Sequence, residues 1–461
     1  MKVEQIYTGC LSQGAYYIES EGEAAIIDPL REVNGYIERA KSNNVKIKYI
    51  FETHFHADFV SGHLTLSKLT GAPIIFGPNA DPIYEAVIAE DGQVIKIGNS
   101  TITVLHTPGH TMESTTYLLK DSKGKDHAIF TGDTLFLGDV GRPDLSQKSN
   151  EMSMEDLAGI QFDSLRNKIM PLADDVIVYP AHGAGSACGK NMMKETVDTL
   201  GNQKIMNYAL RANMTKQEFV KEVTEDLMPA PNYFPLNVKM NKEGYEDIDS
   251  IINRAVNPIP ISKFENIANE SAAIILDVRN QQDYAKGHIP RSIFIGLDGG
   301  FAPWVGTLIK DVQQPILLVA PEGREEEAIT RLSRVGFDNT IGFLEGGFSS
   351  WKESGKQIDT VTSVSAQEFK KNIEKKESTI LDVRKTSEYD LERINTAINT
   401  PLDVINTYLN DIPDKKEFYI HCAGGYRSMI AASILKSRGI HNMIEVKGGF
   451  KSIKETSIPI I

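Results

Sequence analysis

Val45-Lys46-Ile47-Lys48-Tyr49-Ile50-Phe51-Glu52-Thr53-His54-Phe55-His56-Ala57-Asp58-Phe59 is the stretch on which the reading of this chain turns. Val45, Ile47, Tyr49 and Phe51 alternate with polar or charged neighbours through its first half, the period-two pattern of a strand. Two histidines and an aspartate then fall on the loop at the strand's end. Downstream come His106-Thr107-Pro108-Gly109-His110-Thr111, Thr131-Gly132-Asp133-Thr134 and Tyr179-Pro180-Ala181-His182, each at an apparent strand-to-loop transition. Five of the ten histidines lie in these four motifs. One such residue alone would ordinarily cap a turn; imidazoles and carboxylates gathered from separate loops are what a catalytic transition-metal site requires. Around them, roughly the first 190 residues alternate apolar runs such as Ala24-Ala25-Ile26-Ile27 with Gly, Pro and Asp turns, a mixed α/β pattern.

Together these motifs resemble the metallo-β-lactamase-fold superfamily, which implies an αββα sandwich. Hydrolases of that superfamily place a histidine after the aspartate and use it to hold a second zinc. Here the position is Phe59, whose benzyl group ligates nothing, so a two-metal hydrolase is disfavoured. The wider text, THFHAD with HTPGHT, TGDTLFLGDVGRPDL and YPAHGAGSACGK, looks like the persulfide dioxygenases within the superfamily. That resemblance implies one Fe(II) per chain, held by His54, His110 and Asp133, with zinc as the alternative metal. Two imidazoles and a carboxylate on one face of Fe(II) leave positions open for O₂ and a thiolate-like substrate. His56, Asp58 and His182 would then orient ligands or move protons, and Arg142 matches a family position that contacts the carboxylate end of the substrate. Cys188, just past the His182 loop, reads as a structural thiol.

Beyond Asn257-Pro258-Ile259-Pro260, which reads as a linker, the sequence repeats itself. Leu276-Asp277-Val278-Arg279 recurs as Leu381-Asp382-Val383-Arg384, and Gly346-Gly347-Phe348 as Gly448-Gly449-Phe450. The spacing is 105 residues early in the unit and 102 late. Gly355 to Val361 is the expected joint between the two α/β copies. The expected domains are therefore 1–256, with a helical extension after Lys190, then 257–357 and 358–461.

In the second copy the run Phe418-Tyr419-Ile420-His421 reads as a buried strand ending in Cys422-Ala423-Gly424-Gly425-Tyr426-Arg427-Ser428, with a helix from about Ser428 to Arg438. A cysteine on a glycine-containing loop at a helix N-terminus has its thiolate stabilised by backbone N–H groups and by Arg427, and becomes a nucleophile able to carry a persulfide sulfur. Four residues separate Cys422 from Arg427, one fewer than in tyrosine phosphatases. The segment resembles rhodanese sulfurtransferases, so Cys422 and Arg427 are the expected catalytic pair. In the first copy Ala320 stands at the cysteine position and Glu325 at the arginine position, so that copy is expected to be catalytically silent.

The formal charge of −13 argues against nucleic-acid or anionic-membrane partners. With three cysteines, no run resembling a signal peptide and no apolar stretch near 20 residues, a cytoplasmic location is expected. The resulting expectation is a sulfide-detoxifying enzyme that oxidises a small thiol persulfide with O₂ to sulfite and passes sulfur through Cys422 to give thiosulfate. A homo-oligomer is expected. The rivals are a glyoxalase II-like zinc thioester hydrolase with a sulfur-carrier appendage, and a non-enzymatic persulfide sensor or relay.

Overall fold

The computed structural model describes residues 1–145, 152–227, 229–413 and 415–461. The chain divides into two compact units, residues 1–250 with 333–336, and 251–332 with 337–461.

In the first unit, strands Lys2–Thr8, Gln13–Ser20, Glu23–Ile27, Lys46–Phe51, Ile74–Phe76 and Val87–Ile88 form one sheet in chain order. A second sheet contains Val94–Ile97, Ser100–His106, Thr115–Lys120, Asp126–Gly132, Ile177–Pro180 and Asp198–Thr199, again in chain order. Period-two alternation sends one set of side chains from each strand inward. Tyr16, Ile18, Ile27 and Phe51 of the first sheet meet Ile102, Val104, Tyr117 and Phe130 of the second in one buried cluster. The opposite faces are covered by helices: Asn34–Ser42 and His63–Thr70 over Tyr17, Ile26 and Ile50, and Met154–Ser164 with Lys216–Thr224 over Ile129 and Val178. This is the expected αββα sandwich. A capping box of Thr215 and Glu218 opens helix Lys216–Thr224.

The second unit holds two five-stranded sheets of identical order, every pair parallel. One runs Pro258–Ile259, Thr340–Leu344, Ile316–Val319, Ile274–Asp277, Ile293–Phe294; the other runs Ser363–Val364, Met443–Val446, Phe418–His421, Thr379–Asp382, Ala397–Asn399. The stretch expected to be a linker thus contributes Pro258–Ile259 as an edge strand, where proline costs least because one side of the strand needs no ladder partner.

The repeated motifs meet in space. Arg279 chelates Asp277 and lies 4.1 Å over the Phe348 ring; Arg384 chelates Asp382 and lies 3.8 Å over Phe450. In both copies the motif is therefore a folding clamp, a buried ion pair closed by a cation–π contact.

Candidate functional site

Asp28 ends strand Glu23–Ile27, and its carboxylate accepts hydrogen bonds from the Thr53 backbone N–H (2.8 Å) and the Thr53 hydroxyl (2.9 Å). These bonds fix the loop that follows strand Lys46–Phe51. Because the only hydroxyl proton of Thr53 goes to Asp28, its oxygen can only accept at the 3.0 Å contact with His54 Nδ1. Nδ1 therefore carries the proton and the Nε2 lone pair is left free. Burial holds His54 well below its usual pKa, with His56 adding to the effect, so the ring is a neutral donor.

His110 is oriented by another contact that favours the same tautomer. Its Nδ1 lies 2.8 Å from the Arg142 carbonyl oxygen, which can only accept, so Nε2 again carries the lone pair. Asp133 follows Gly132 at the end of strand Asp126–Gly132. Gly132 has φ +53°, and a Cβ there would fall 2.5 Å from Thr53 Oγ1, so glycine lets the two loops close on each other.

Asp133 Oδ1 accepts from His182 Nδ1 at 2.8 Å, while Oδ2 is buried with no hydrogen-bond partner among the described residues, 3.5 Å from His110 Nε2 and 3.9 Å from His54 Nε2. Ligand atoms about 2.1 Å from one ion are roughly 3 to 4 Å apart. The three residues fit a cation: two free imidazole lone pairs and one orphaned carboxylate oxygen converge in a buried place.

His182 sits between two carboxylates, its Nε2 facing Asp58 Oδ2 at 2.8 Å. Burial opposes the cation, but Asp133 and Asp58 outweigh it and hold the His182 pKa well above the ordinary histidine value. In turn, the cationic His182 overcomes the burial of Asp133 and keeps its carboxylate ionised. Asp58 groups with His182 and Cys188, whose thiol is pushed up by burial and by the two aspartates. His56 turns the other way, its Nε2 3.1 Å from Asp28 and 3.6 Å from Glu52, with the fully buried Phe59 ring packed at 4.3 Å. Arg142 is 5% exposed, and its guanidinium is engaged by Asp144 (2.6 and 2.7 Å) and by the Ala187 carbonyl.

In the second unit, Cys422 is buried at the end of strand Phe418–His421, and the Gly425 N–H points to its Sγ at 3.1 Å. The backbone of the glycine-glycine-phenylalanine element locks this loop, with Phe450 N–H donating to the Cys422 carbonyl (2.6 Å) and Lys451 N–H to that of Ala423 (3.0 Å). Arg427 is held bidentately by Glu388 at 2.5 and 2.8 Å. Ala320 occupies the matching place after strand Ile316–Val319, and Glu325 opens helix Glu325–Arg334. The motifs did not reveal Asp28, the Arg142 carbonyl or Glu388; the only local hint was Asp28-Pro29 directly after an apolar run.

Residues 8–182 match the metallo-beta-lactamase superfamily, and 261–354 and 365–456 each match the rhodanese-like domain. A crystal structure of a metallo-beta-lactamase from Staphylococcus aureus is 30% identical with a TM-score of 0.66, and the similarity covers 75% of this chain and 99% of that one. The human mitochondrial persulfide dioxygenase ETHE1 is 29% identical over 226 residues, 48% of this chain and 78% of the relative. The Haemophilus influenzae hydroxyacylglutathione hydrolase GloC is 28% identical over 212 residues, 41% of this chain and 94% of the relative.

Proposed function

Because the chain belongs to the metallo-beta-lactamase superfamily and carries two rhodanese-like domains behind that fold, we propose that it oxidises a low-molecular-weight persulfide to sulfite at an Fe(II) site and transfers sulfur through Cys422 to form thiosulfate. The observation that carries the reading is the convergence of His54 Nε2, His110 Nε2 and Asp133 Oδ2 among the described residues, with Phe59 where a second-cation ligand would stand. Fe(II) held there would supply O₂ activation and open positions for the persulfide sulfur.

The overall reaction is R–S–SH + O₂ + H₂O → R–SH + SO₃²⁻ + 2 H⁺. Among this chain's own residues His182, cationic between Asp133 and Asp58, is the group able to hold or return a proton beside the Asp133 carboxylate. At the other site the Cys422 thiolate takes the terminal sulfur of a second R–S–SH, releasing R–SH, and sulfite attacks the outer sulfur of the resulting Cys422–S–S⁻; the S–S bond breaks, thiosulfate leaves and the thiolate is restored beneath the Gly425 N–H. One chain carrying both sites raises the effective concentration of the shared sulfite.

The rival zinc thioester hydrolase draws support from the hydroxyacylglutathione hydrolase relative and from Asp58 and His182 remaining in place. Elemental analysis and oxygen uptake separate the two. The expected result is about one iron per chain and O₂ consumption with a small persulfide, lost in Asp133→Ala. Two zincs per chain, with thioester turnover under anaerobic conditions and no oxygen uptake after iron loading, would overturn the proposal.

A further inference from the structure

Helix Tyr426–Ser437, which carries the Cys422 loop at its start, is buried without interruption from Ser428 to Lys436. Such a helix needs cover on more than one side, since a single sheet shields only a stripe. The first rhodanese-like copy and the joint behind it provide part of that cover, with contacts along the helix from end to end. At the start, the Tyr426 hydroxyl donates to the Gly296 carbonyl at 2.7 Å, and its ring meets Phe294 edge-on with centroids 5.9 Å apart. In the middle, the Phe294 N–H donates to Ser433 Oγ at 3.0 Å. At the far end, Lys436 pairs with Asp359 at 3.1 Å, in the joint between the copies.

The tightest of these contacts involves Gly299. A Cβ at that residue would lie 2.4 to 2.9 Å from three carbons of the Tyr426 ring, nearer than carbon atoms approach without contact strain. The ring thus lies flat against bare backbone of the first copy. Tyr426 is also flanked by the two residues that shape the sulfur site. Gly425 before it aims its N–H at Cys422 Sγ, and Arg427 after it is clamped by Glu388. A shift of the Tyr426 ring by a few tenths of an ångström must pass into both through the shared peptide units.

We propose that the first copy supplies positioning residues for sulfur transfer in the second: Phe294, Gly296 and Gly299 seat Tyr426, and through it the Gly425 N–H that stabilises the Cys422 anion. The inference rests on the reading that Cys422 carries sulfur, and it gives the copy with Ala320 in place of cysteine a task at the reacting site.

The test is the pH dependence of Cys422 alkylation by iodoacetamide in the full-length, metal-loaded chain, followed by mass spectrometry of the Cys422 peptide. This readout follows thiolate population, which a contact serving only the fold does not move. Loss of a hydrogen bond worth about 0.5 to 1.5 kcal/mol corresponds to a change of roughly two- to tenfold. Tyr426→Phe is therefore expected to slow alkylation at pH 7 about threefold, and Gly299→Ala about tenfold, each with its midpoint moved to higher pH. In a Tyr426→Ala background, Gly299→Ala is expected to add nothing, because the two act through one contact. Unchanged rates and midpoints in both single variants, with thermal melts showing folded protein, would overturn the proposal. If Gly299→Ala does not fold, Tyr426→Phe, which removes one oxygen atom, decides alone. Sulfur loading of the unaltered Cys422 by a small persulfide is scored separately: its absence refutes the sulfur-transfer reading, whereas the alkylation profile judges the seat of Tyr426.

Discussion

Thr53 has a single hydroxyl proton, and where that proton goes sets the tautomer of His54. Thr53→Val keeps the shape of the side chain while leaving His54 Nδ1 and one Asp28 oxygen without their partner. Groups of this kind typically contribute 10- to 100-fold to metal affinity, and that loss is expected here, measured as iron retained during dialysis against a chelator. A loss of folding stability of about 1 to 3 kcal/mol should accompany it, from the unpaired buried carboxylate oxygen. That His54, His110 and Asp133 come together was legible in the sequence, because each sits in a short motif of residue types able to ligate a metal. Thr53, Asp28 and Arg142 were less so. Arg142 draws attention for its guanidinium, yet that group is bound to Asp144, and it is the backbone carbonyl that orients His110. Any residue could supply that carbonyl, so no side-chain pattern announces it.

At the scale of the element, strand Met443–Val446 buries Glu445 where the matching strand of the first copy has Phe343. Burial is the main cause that raises the Glu445 pKa, to about 7, against the hydrogen bond from Ser428 that favours its ionised form. The folded chain therefore keeps a proton that the unfolded chain gives up near pH 4.5. Stability from this group is complete below pH 4.5, falls as pH rises towards 7, and levels off above it; the displacement corresponds to about 3 kcal/mol. Glu445→Gln, neutral throughout, is expected to melt progressively above the unaltered protein between pH 5 and 8, by several degrees at the upper end. Calorimetry across that range checks it, and a constant difference would refute the assignment. Element boundaries were readable where a continuous apolar run marked a buried strand, as in Phe418–His421, but the edge strand Pro258–Ile259 was not. Two residues carry no period, and their prolines signal a linker until the partner strand Thr340–Leu344 is known.

Across the whole molecule the two activities are expected to separate. Cys422→Ser replaces an ionisable, polarisable sulfur with a hydroxyl that stays protonated at neutral pH, so thiosulfate formation should vanish while oxygen uptake continues and sulfite accumulates. Product analysis against an enzyme-free control reads this out, and loss of oxygen uptake in folded, iron-loaded variant would mean that Cys422 delivers the persulfide to the iron. Conversely, Ala320→Cys is expected to give the first copy no sulfur-transfer activity, because Glu325 stands where Arg427 would, and Arg324 is already bound by Asp298 and Glu327. Persulfide labelling of the introduced cysteine tests it. The doubled motifs made the repeat visible in the sequence, whereas the seating of Tyr426 on Gly299 was not, since a glycine in a loop carries no mark of what lies against it. The strand order of the two copies also bears on synthesis. In each, the first strand pairs beside the last, and the central strand lies next to both the second and the last. A nascent copy therefore cannot complete its sheet while it is being made. The Cys422 thiol leaves the ribosome well before Met443–Val446 and the Phe450 N–H that pins its loop, and at about 5 to 20 residues per second it spends a second or more as an unshielded cysteine. During that interval its reactivity is that of an ordinary thiol, so the newborn chain gains its sulfur chemistry only once the closing strand is in place.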